Sequence, residues 1–220
     1  MLSILVDSRN ESEEHLKSPI SKFLSSTFYS ENEINTKEKI DLAIYLGNDA
    51  TSDIGVLIEA KKPSNKSEFP TVKQLIKKGF QEILLYYLRE RVDYKNNNIK
   101  HLIITNGFEW FFFNASDFYN LFYKNSELIK EYKTFRDGRK DTTKNELFYN
   151  EIAKKYIDKV EDALPFVHLD FRDKEVSKFK EKETCKYLQI IFRCSFTWKK
   201  FLETTVISLI KPFIMSFFIL

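Results

Sequence analysis

Two acidic residues and one lysine are the side chains of this sequence best suited to chemistry. Glu59 and Lys61 stand two residues apart in a short apolar segment, and Asp41 lies near the start of an earlier one. Residues two apart in a β-strand project from the same face, so Glu59 and Lys61 would be neighbours. Carboxylate oxygens suit a divalent cation, and a cation beside an attacking water suits phosphodiester hydrolysis. The three residues therefore indicate a metal-dependent hydrolytic site.

The segments that carry these residues are predicted to pair as a hairpin. Residues 40–45 and 56–61 are β-branched and apolar, and the polar segment between them contains the turn formers Gly47-Asn48-Asp49 and Ser52-Asp53. Pairing of the two strands would bring Asp41 towards Glu59 and Lys61 and so assemble the cluster.

A longer pattern resembles a known nuclease motif. Asp41, Glu59-Ala60-Lys61 and Gln81 on a following helix resemble the PD-(D/E)XK motif, with Ile40 in the position of the motif's proline. Three segments, residues 58–68, 81–91 and 101–110, are similar to the N-terminal nuclease region of type IIG restriction enzymes. In those enzymes nuclease and methyltransferase share one polypeptide. The resemblance covers roughly residues 8–172.

This resemblance implies a restriction-endonuclease-like α/β fold, with a central mixed sheet flanked by helices and a helical C-terminal extension. Residues 1–172 would form the nuclease domain and residues 173–220 a helical linker or tail. The implied function is Mg²⁺-dependent hydrolysis of double-stranded DNA. Methyltransferase and target-recognition domains are expected as partners in a full-length relative, since the chain has neither a methyl-donor glycine motif nor an Asn-Pro-Pro-aromatic motif.

The resemblance also implies roles for individual residues. Asp41 and Glu59 would bind Mg²⁺ together with the backbone carbonyl of Ala60. Lys61 would orient or help to deprotonate the attacking water and offset charge in the transition state. Gln81 would bind a water or a phosphate oxygen; the alternative is that it is an exposed helix-forming residue.

A further acidic residue lies on the first predicted helix, residues 12–29. Glu13 shares an arc of this helix with apolar residues, whereas Glu14 points away from it. Those apolar residues are Leu16, Ile20 and Leu24. Because a first-helix glutamate often completes the metal site in the resembling nucleases, Glu13 is the candidate ligand and Glu14 the second choice. The alternative is that Glu13 only stabilises the helix N-terminus electrostatically.

Basic residues are concentrated after the cluster. Residues 60–100 contain ten Lys or Arg but four Asp or Glu. A polyanion could bind there, and the candidates for contacts with the DNA backbone are Lys62, Lys66, Lys73 and Lys77. The alternative is a solvated helix face.

The rest of the chain predicts helices and strands around this site. A long helix is expected over 69–91, a hairpin over 101–113 with Asn106-Gly107 at its turn, helices from 116 and a last strand at 166–171. The successive aromatics Phe111 to Phe113 indicate a strand covered on both faces rather than a base-stacking platform.

Composition narrows the class of protein. With 220 residues, 43% of them apolar, the chain can bury a full core. Its two cysteines fit neither a zinc site nor a disulfide framework, which favours a reducing cytoplasm, and no segment is apolar enough to span a membrane. No phosphate-binding glycine loop or serine-nucleophile motif is present. The alternative to an active nuclease is that the chain is a catalytically inactive remnant of such an enzyme, which binds nucleic acid or another partner.

The end of the chain differs in character from the rest. Residues 203–220 have no amphipathic period and finish on an apolar run. We expect a truncated product whose final segment is read out of frame, with a methyltransferase reading frame beyond it in the shifted phase.

Overall fold

A six-stranded mixed sheet forms the centre of the computed structural model, which describes residues 13–138 and 145–172. Its strands lie in chain order across the sheet. They are β1 (Ile34–Lys37), β2 (Ile40–Tyr45), β3 (Ile54–Ala60), β4 (His101–Thr105), β5 (Glu109–Asn114) and β6 (Val167–Asp170). Strands β3 and β4 pair in parallel, and the other neighbours are antiparallel.

Helices connect and flank these strands, which confirms the predicted α/β class. They are α1 (Glu13–Thr27), α2 (Lys78–Leu88), α3 (Ala115–Phe118), α4 (Ser126–Asp137), α5 (Asn145–Leu147) and α6 (Lys154–Val160). π-Helical turns extend α2 (Arg89–Asp93) and α3 (Tyr119–Tyr123) and join α5 to α6 (Phe148–Ala153). The predicted tail, 173–220, lies outside the described residues. Within them, no helix is long and apolar enough to cross a membrane.

Both predicted hairpins form, and side chains in their turns explain why. In the β2–β3 turn, Ser52 Oγ accepts a hydrogen bond from Gly47 N at 2.9 Å. In the β4–β5 turn, Asn106 Oδ1 accepts from Phe108 N at 3.0 Å and from Glu109 N at 2.7 Å. Gly107 completes that turn with φ of 86°, a conformation that glycine adopts readily. Local turn chemistry therefore fixes the pairing of both hairpins.

The four central strands, β2 to β5, are buried on both faces. Phe111 and Phe113 pack in the core beneath α2, while Phe112 projects from the other face and is buried as well. This confirms that the aromatic run is core. On the side of β1 to β3, α1 packs against all three strands. Its buried residues are Leu16, Ile20 and Leu24.

The helix predicted from Phe69 begins only at Lys78, so this part of the prediction is wrong. Glu161 Oε1 accepts hydrogen bonds from the backbone N–H groups of Leu75 and Ile76, the latter at 3.2 Å. These donors are thereby held by a residue distant in sequence, and Val72, an apolar residue of the same segment, is 49% exposed. A short loop precedes α2 as a result.

Candidate active site

The β2–β3 pair brings the two predicted metal-binding carboxylates together. Leu42 lies opposite Ile58 in this pair, so the next position along places Asp41 beside Glu59. The N–H group of Ala60 donates to Asp41 Oδ2 at 2.9 Å and holds that carboxylate against the end of β3. Residues 18 positions apart in sequence thus share one site because of the hairpin register.

Glu59 is a buried acid whose negative charge is only partly compensated by its neighbours. Glu59 is only 1% exposed, and its Oε2 atom accepts no hydrogen bond among the described residues. Burial, followed by the negative charge of Glu82, raises the pKa of Glu59 well above its usual range, although Lys61 acts in the opposite direction. An unsatisfied buried carboxylate oxygen is costly unless a cation or a proton binds to it.

Lys61 is held between two carboxylates. Its Nζ lies 2.6 Å from Glu59 Oε1 and 2.6 Å from Glu82 Oε2, and its backbone N–H donates to Thr105 O in β4 at 2.8 Å. Burial disfavours the ammonium, but the charges of Glu59 and Glu82 outweigh it, so the pKa of Lys61 is raised. Lys61 is therefore a fixed cation in this arrangement.

Glu82 belongs to the site, although the sequence pattern did not single it out. It lies on the face of α2 that also carries Gly79 and Tyr86, because residues three and four apart align along a helix. A Cβ atom at Gly79 would lie 3.5 Å from Lys61 Cγ, so this face packs on the lysine. Burial and then the charges of Glu59 and Glu82 raise the pKa of Tyr86. No local sequence pattern marked Glu82, because its role depends on how α2 packs against the sheet.

Lys17 is a second cation that sequence reasoning missed. Its Nζ lies 2.9 Å from Asp41 Oδ1 and 2.7 Å from Glu14 Oε2, which is three residues earlier on α1. Burial opposes the charge of Lys17, but hydrogen bonds to Glu14 and Asp41 raise its pKa. We call Lys17, Asp41, Glu59, Lys61 and Glu82 the charged cluster.

The remaining predicted site residues are less closely connected to this cluster. Gln81 is 9% exposed on α2 and is therefore not an exposed helix former, but the described contact from this helix to Lys61 comes from Glu82. Glu13 is the first residue of α1, and its side chain lies outside the described part of the structure. Glu14 is exposed and reaches the cluster only through Lys17.

The sequence matches one family model, described as a domain of unknown function (DUF7149), over residues 2–206. The chain belongs to this family. The match contains every residue of the charged cluster. No curated protein and no solved structure matches the chain.

The four lysines predicted to contact DNA lie in the segment between β3 and α2 of this DUF7149 chain. Lys66 and Lys73 are exposed, whereas Lys62 and Lys77 are half-buried. Since Lys73 and Lys77 precede the start of α2, they do not lie on one helical face. They follow one another along the segment that leaves the end of β3.

The cluster has the donors for a divalent cation with few protein ligands. Among residues 13–138 and 145–172, no three Asp, Glu, His or Cys side chains are arranged to hold a metal ion. A site here would therefore use the carboxylates of Asp41 and Glu59, the carbonyl of Ala60 and water, as Mg²⁺ commonly does. The unsatisfied Oε2 of Glu59 fits such a ligand set. Three carboxylates and two ammonium groups sum to −1, so the cluster carries a net negative charge that favours a cation.

Proposed function

We propose that this chain is a Mg²⁺-dependent DNA endonuclease domain with a PD-(D/E)XK fold, related to the nuclease region of type IIG restriction enzymes. The observation that supports it is the convergence of Asp41, Glu59 and Lys61 at the end of one hairpin. The spacing of these residues in the sequence predicts metal-dependent phosphodiester hydrolysis. In addition, the Oε2 atom of Glu59 is buried without a hydrogen-bond partner among the described residues. In a full-length relative, methyltransferase and target-recognition domains would supply modification and sequence specificity.

The order of the strands and helices explains how the site is assembled. Strands β1 to β3 form an antiparallel meander, and the chain then crosses over through α2 to pair β4 in parallel with β3. A parallel pair requires such a crossover, and this one sets α2 against β3 and β4. Glu82 is thereby placed against Lys61.

Mg²⁺ would be held by Asp41, Glu59 and the carbonyl of Ala60. When bound, the ion would act as a Lewis acid and polarise the scissile phosphate. The Ala60 N–H group keeps Asp41 in position through Oδ2. Burial of Glu59 limits the motion of the second ligand. This arrangement pre-organises the ligands before any substrate arrives.

Lys61 would orient the attacking water and offset negative charge as it develops on the phosphate. Its ammonium form is favoured by Glu59 and Glu82, so donation of a hydrogen bond is better supported than removal of a proton by the lysine. Glu82 would hold the ammonium at the end of β3. Lys62, Lys66, Lys73 and Lys77 would contact DNA phosphates, which gives affinity without sequence information.

The test is cleavage of supercoiled plasmid by the purified chain. We expect nicking with Mg²⁺, none in EDTA, and little turnover with Ca²⁺, whose looser coordination positions water and phosphate poorly. Asp41→Asn and Lys61→Met should each abolish nicking, whereas Lys22→Met, which removes an exposed lysine of α1, should not. Cleavage by Lys61→Met or in EDTA would contradict the nuclease proposal. DNA binding without cleavage by the unaltered chain would favour the inactive remnant.

A further inference from the structure

Lys17 lies where it would compete with a divalent cation. Its Nζ is 2.9 Å from Asp41 Oδ1, while the other oxygen of that carboxylate already accepts from Ala60 N. A Mg²⁺ ion bound to Oδ1 would lie about 2.1 Å from it. An ammonium and a divalent cation on the same oxygen repel each other at such distances, so only one of them can be bound closely.

Of the two lysines in the charged cluster, Lys17 is the one that can leave. Lys61 is enclosed by Glu59 and Glu82 at 2.6 Å each, whereas the side chain of Lys17 is 18% exposed. Lys17 also already contacts Glu14, an exposed acid on the same helix, at 2.7 Å. When Asp41 takes up a metal ion, the ammonium can therefore keep one ion pair and turn towards solvent.

We propose that Lys17 is an internal counter-ion that occupies Asp41 in the metal-free chain and is displaced towards Glu14 when a divalent cation binds. It neutralises Asp41 while the site is empty and thereby lowers the metal affinity of the resting domain. This inference rests on the proposed metal-dependent nuclease site.

The test is calorimetric titration of the whole chain with Mn²⁺ alone, in the absence of DNA. Lys17→Met keeps the aliphatic stem and removes the ammonium, so we expect Mn²⁺ to bind about three- to tenfold more tightly. The matched control is Lys22→Met, an exposed lysine of the same helix, which should bind Mn²⁺ as the unaltered chain does. Thermal unfolding of each variant in EDTA verifies that it is folded.

A second titration separates direct competition from a general field effect. At an ionic strength of about 1 M the Debye length is about 3 Å, so a long-range influence of the Lys17 charge would vanish. We expect the tighter binding of Lys17→Met to persist there. Equal affinities of Lys17→Met and Lys22→Met, or a gain lost at high salt, would overturn the inference. If Asp41→Asn binds Mn²⁺ as well as the unaltered chain, the proposed nuclease site itself is wrong.

Discussion

At the scale of single residues, Glu59 shows how the proposed catalysis and folding oppose each other. To bind a metal ion, Glu59 must be ionised, but burial and the charge of Glu82 disfavour its carboxylate form. Lys61 compensates in part from 2.6 Å, and Oε2 is left without a hydrogen bond among the described residues. In the metal-free domain the ionised form of Glu59 therefore destabilises the fold, and a neutral residue at this position would remove that cost.

Glu59→Gln should consequently abolish metal-dependent cleavage and stabilise the metal-free fold. The pKa of Glu59 is higher in the folded chain than in the unfolded chain, so folding takes up a proton between those two values. Stability of the unaltered protein then falls as pH rises through that window, and the advantage of the variant grows. We expect the gain in stability to be largest at pH 8 and to shrink towards pH 4. Urea unfolding in EDTA at both pH values measures it, and a less stable variant at pH 8 would contradict the argument.

Lys61→Met should destabilise the fold as well as abolish cleavage. The substitution leaves Glu59 and Glu82 adjacent without their shared cation, and breaking such a buried pair costs about 3–5 kcal/mol. Adding Glu82→Gln removes one of the two repelling charges, so the double variant should recover much of the stability without any cleavage. Urea unfolding and plasmid nicking of the single and double variants measure the two effects. Recovery of cleavage in the double variant would show that Lys61 has only a structural role.

At the scale of secondary-structure elements, the loop before α2 depends on one distant carboxylate. Glu161 accepts from the N–H groups of Leu75 and Ile76 and so binds this loop to the turn after α6. These donors lie in the segment between β3 and α2, which carries the lysines proposed to contact DNA and leads into the helix of Glu82. Glu161 therefore supports the site from outside it.

Glu161→Ala should lower the free energy of unfolding by about 1–3 kcal/mol, because it leaves backbone donors without their acceptor. Asp162→Ala is the matched control, since Asp162 is the exposed acidic neighbour and no hydrogen bond of its side chain is described. Urea unfolding measures the difference, and amide hydrogen exchange at Leu75 and Ile76 should accelerate only in the Glu161 variant. Equal stability of the two variants would show that the loop holds without this contact.

The contrast between these elements explains how far sequence alone could reach. Both hairpins were predicted correctly because their turns are closed by nearby side chains such as Ser52 and Asn106. The start of α2 was misplaced because Glu161, 86 residues from Leu75, holds the donors of that segment. Strand β1 was missed because three of its four residues are polar and none is fully buried.

The candidate site divides in the same way. Asp41, Glu59 and Lys61 could be grouped from strand periodicity and hairpin pairing, which are local properties. The roles of Glu82 and Lys17 depend on how α2 and α1 pack against the sheet, which no local pattern specifies. Both residues were therefore apparent only from tertiary contacts.

At the scale of the whole molecule, the charge of the chain is nearly balanced but unevenly distributed. The net charge is +3, yet residues 60–100 carry a clear basic excess. The charged cluster itself sums to −1, and a bound divalent cation would add two positive charges. Metal binding would thus reduce the repulsion of phosphate at the end of β3, even with Lys17 displaced towards Glu14.

DNA affinity should accordingly depend steeply on salt, through this basic segment. Four phosphate contacts, from Lys62, Lys66, Lys73 and Lys77, would give a log–log slope of about −3.6 on duplex DNA. Replacing the exposed pair Lys66 and Lys73 with Gln should flatten the slope by about 1.8, since two contacts are lost. Fluorescence anisotropy with Ca²⁺ present, to limit cleavage, measures the slope.

The matched control is the double variant Lys22→Gln and Lys133→Gln, which removes the same charge from exposed positions on α1 and α4. It should leave the slope unchanged, because a contact releases counterions only where it touches the duplex. Sequence preference should be the same in all three proteins, since phosphate contacts carry no base information. An equal change of slope in both double variants would mean that net charge, and not this segment, controls binding, and would make the four lysines a solvated surface.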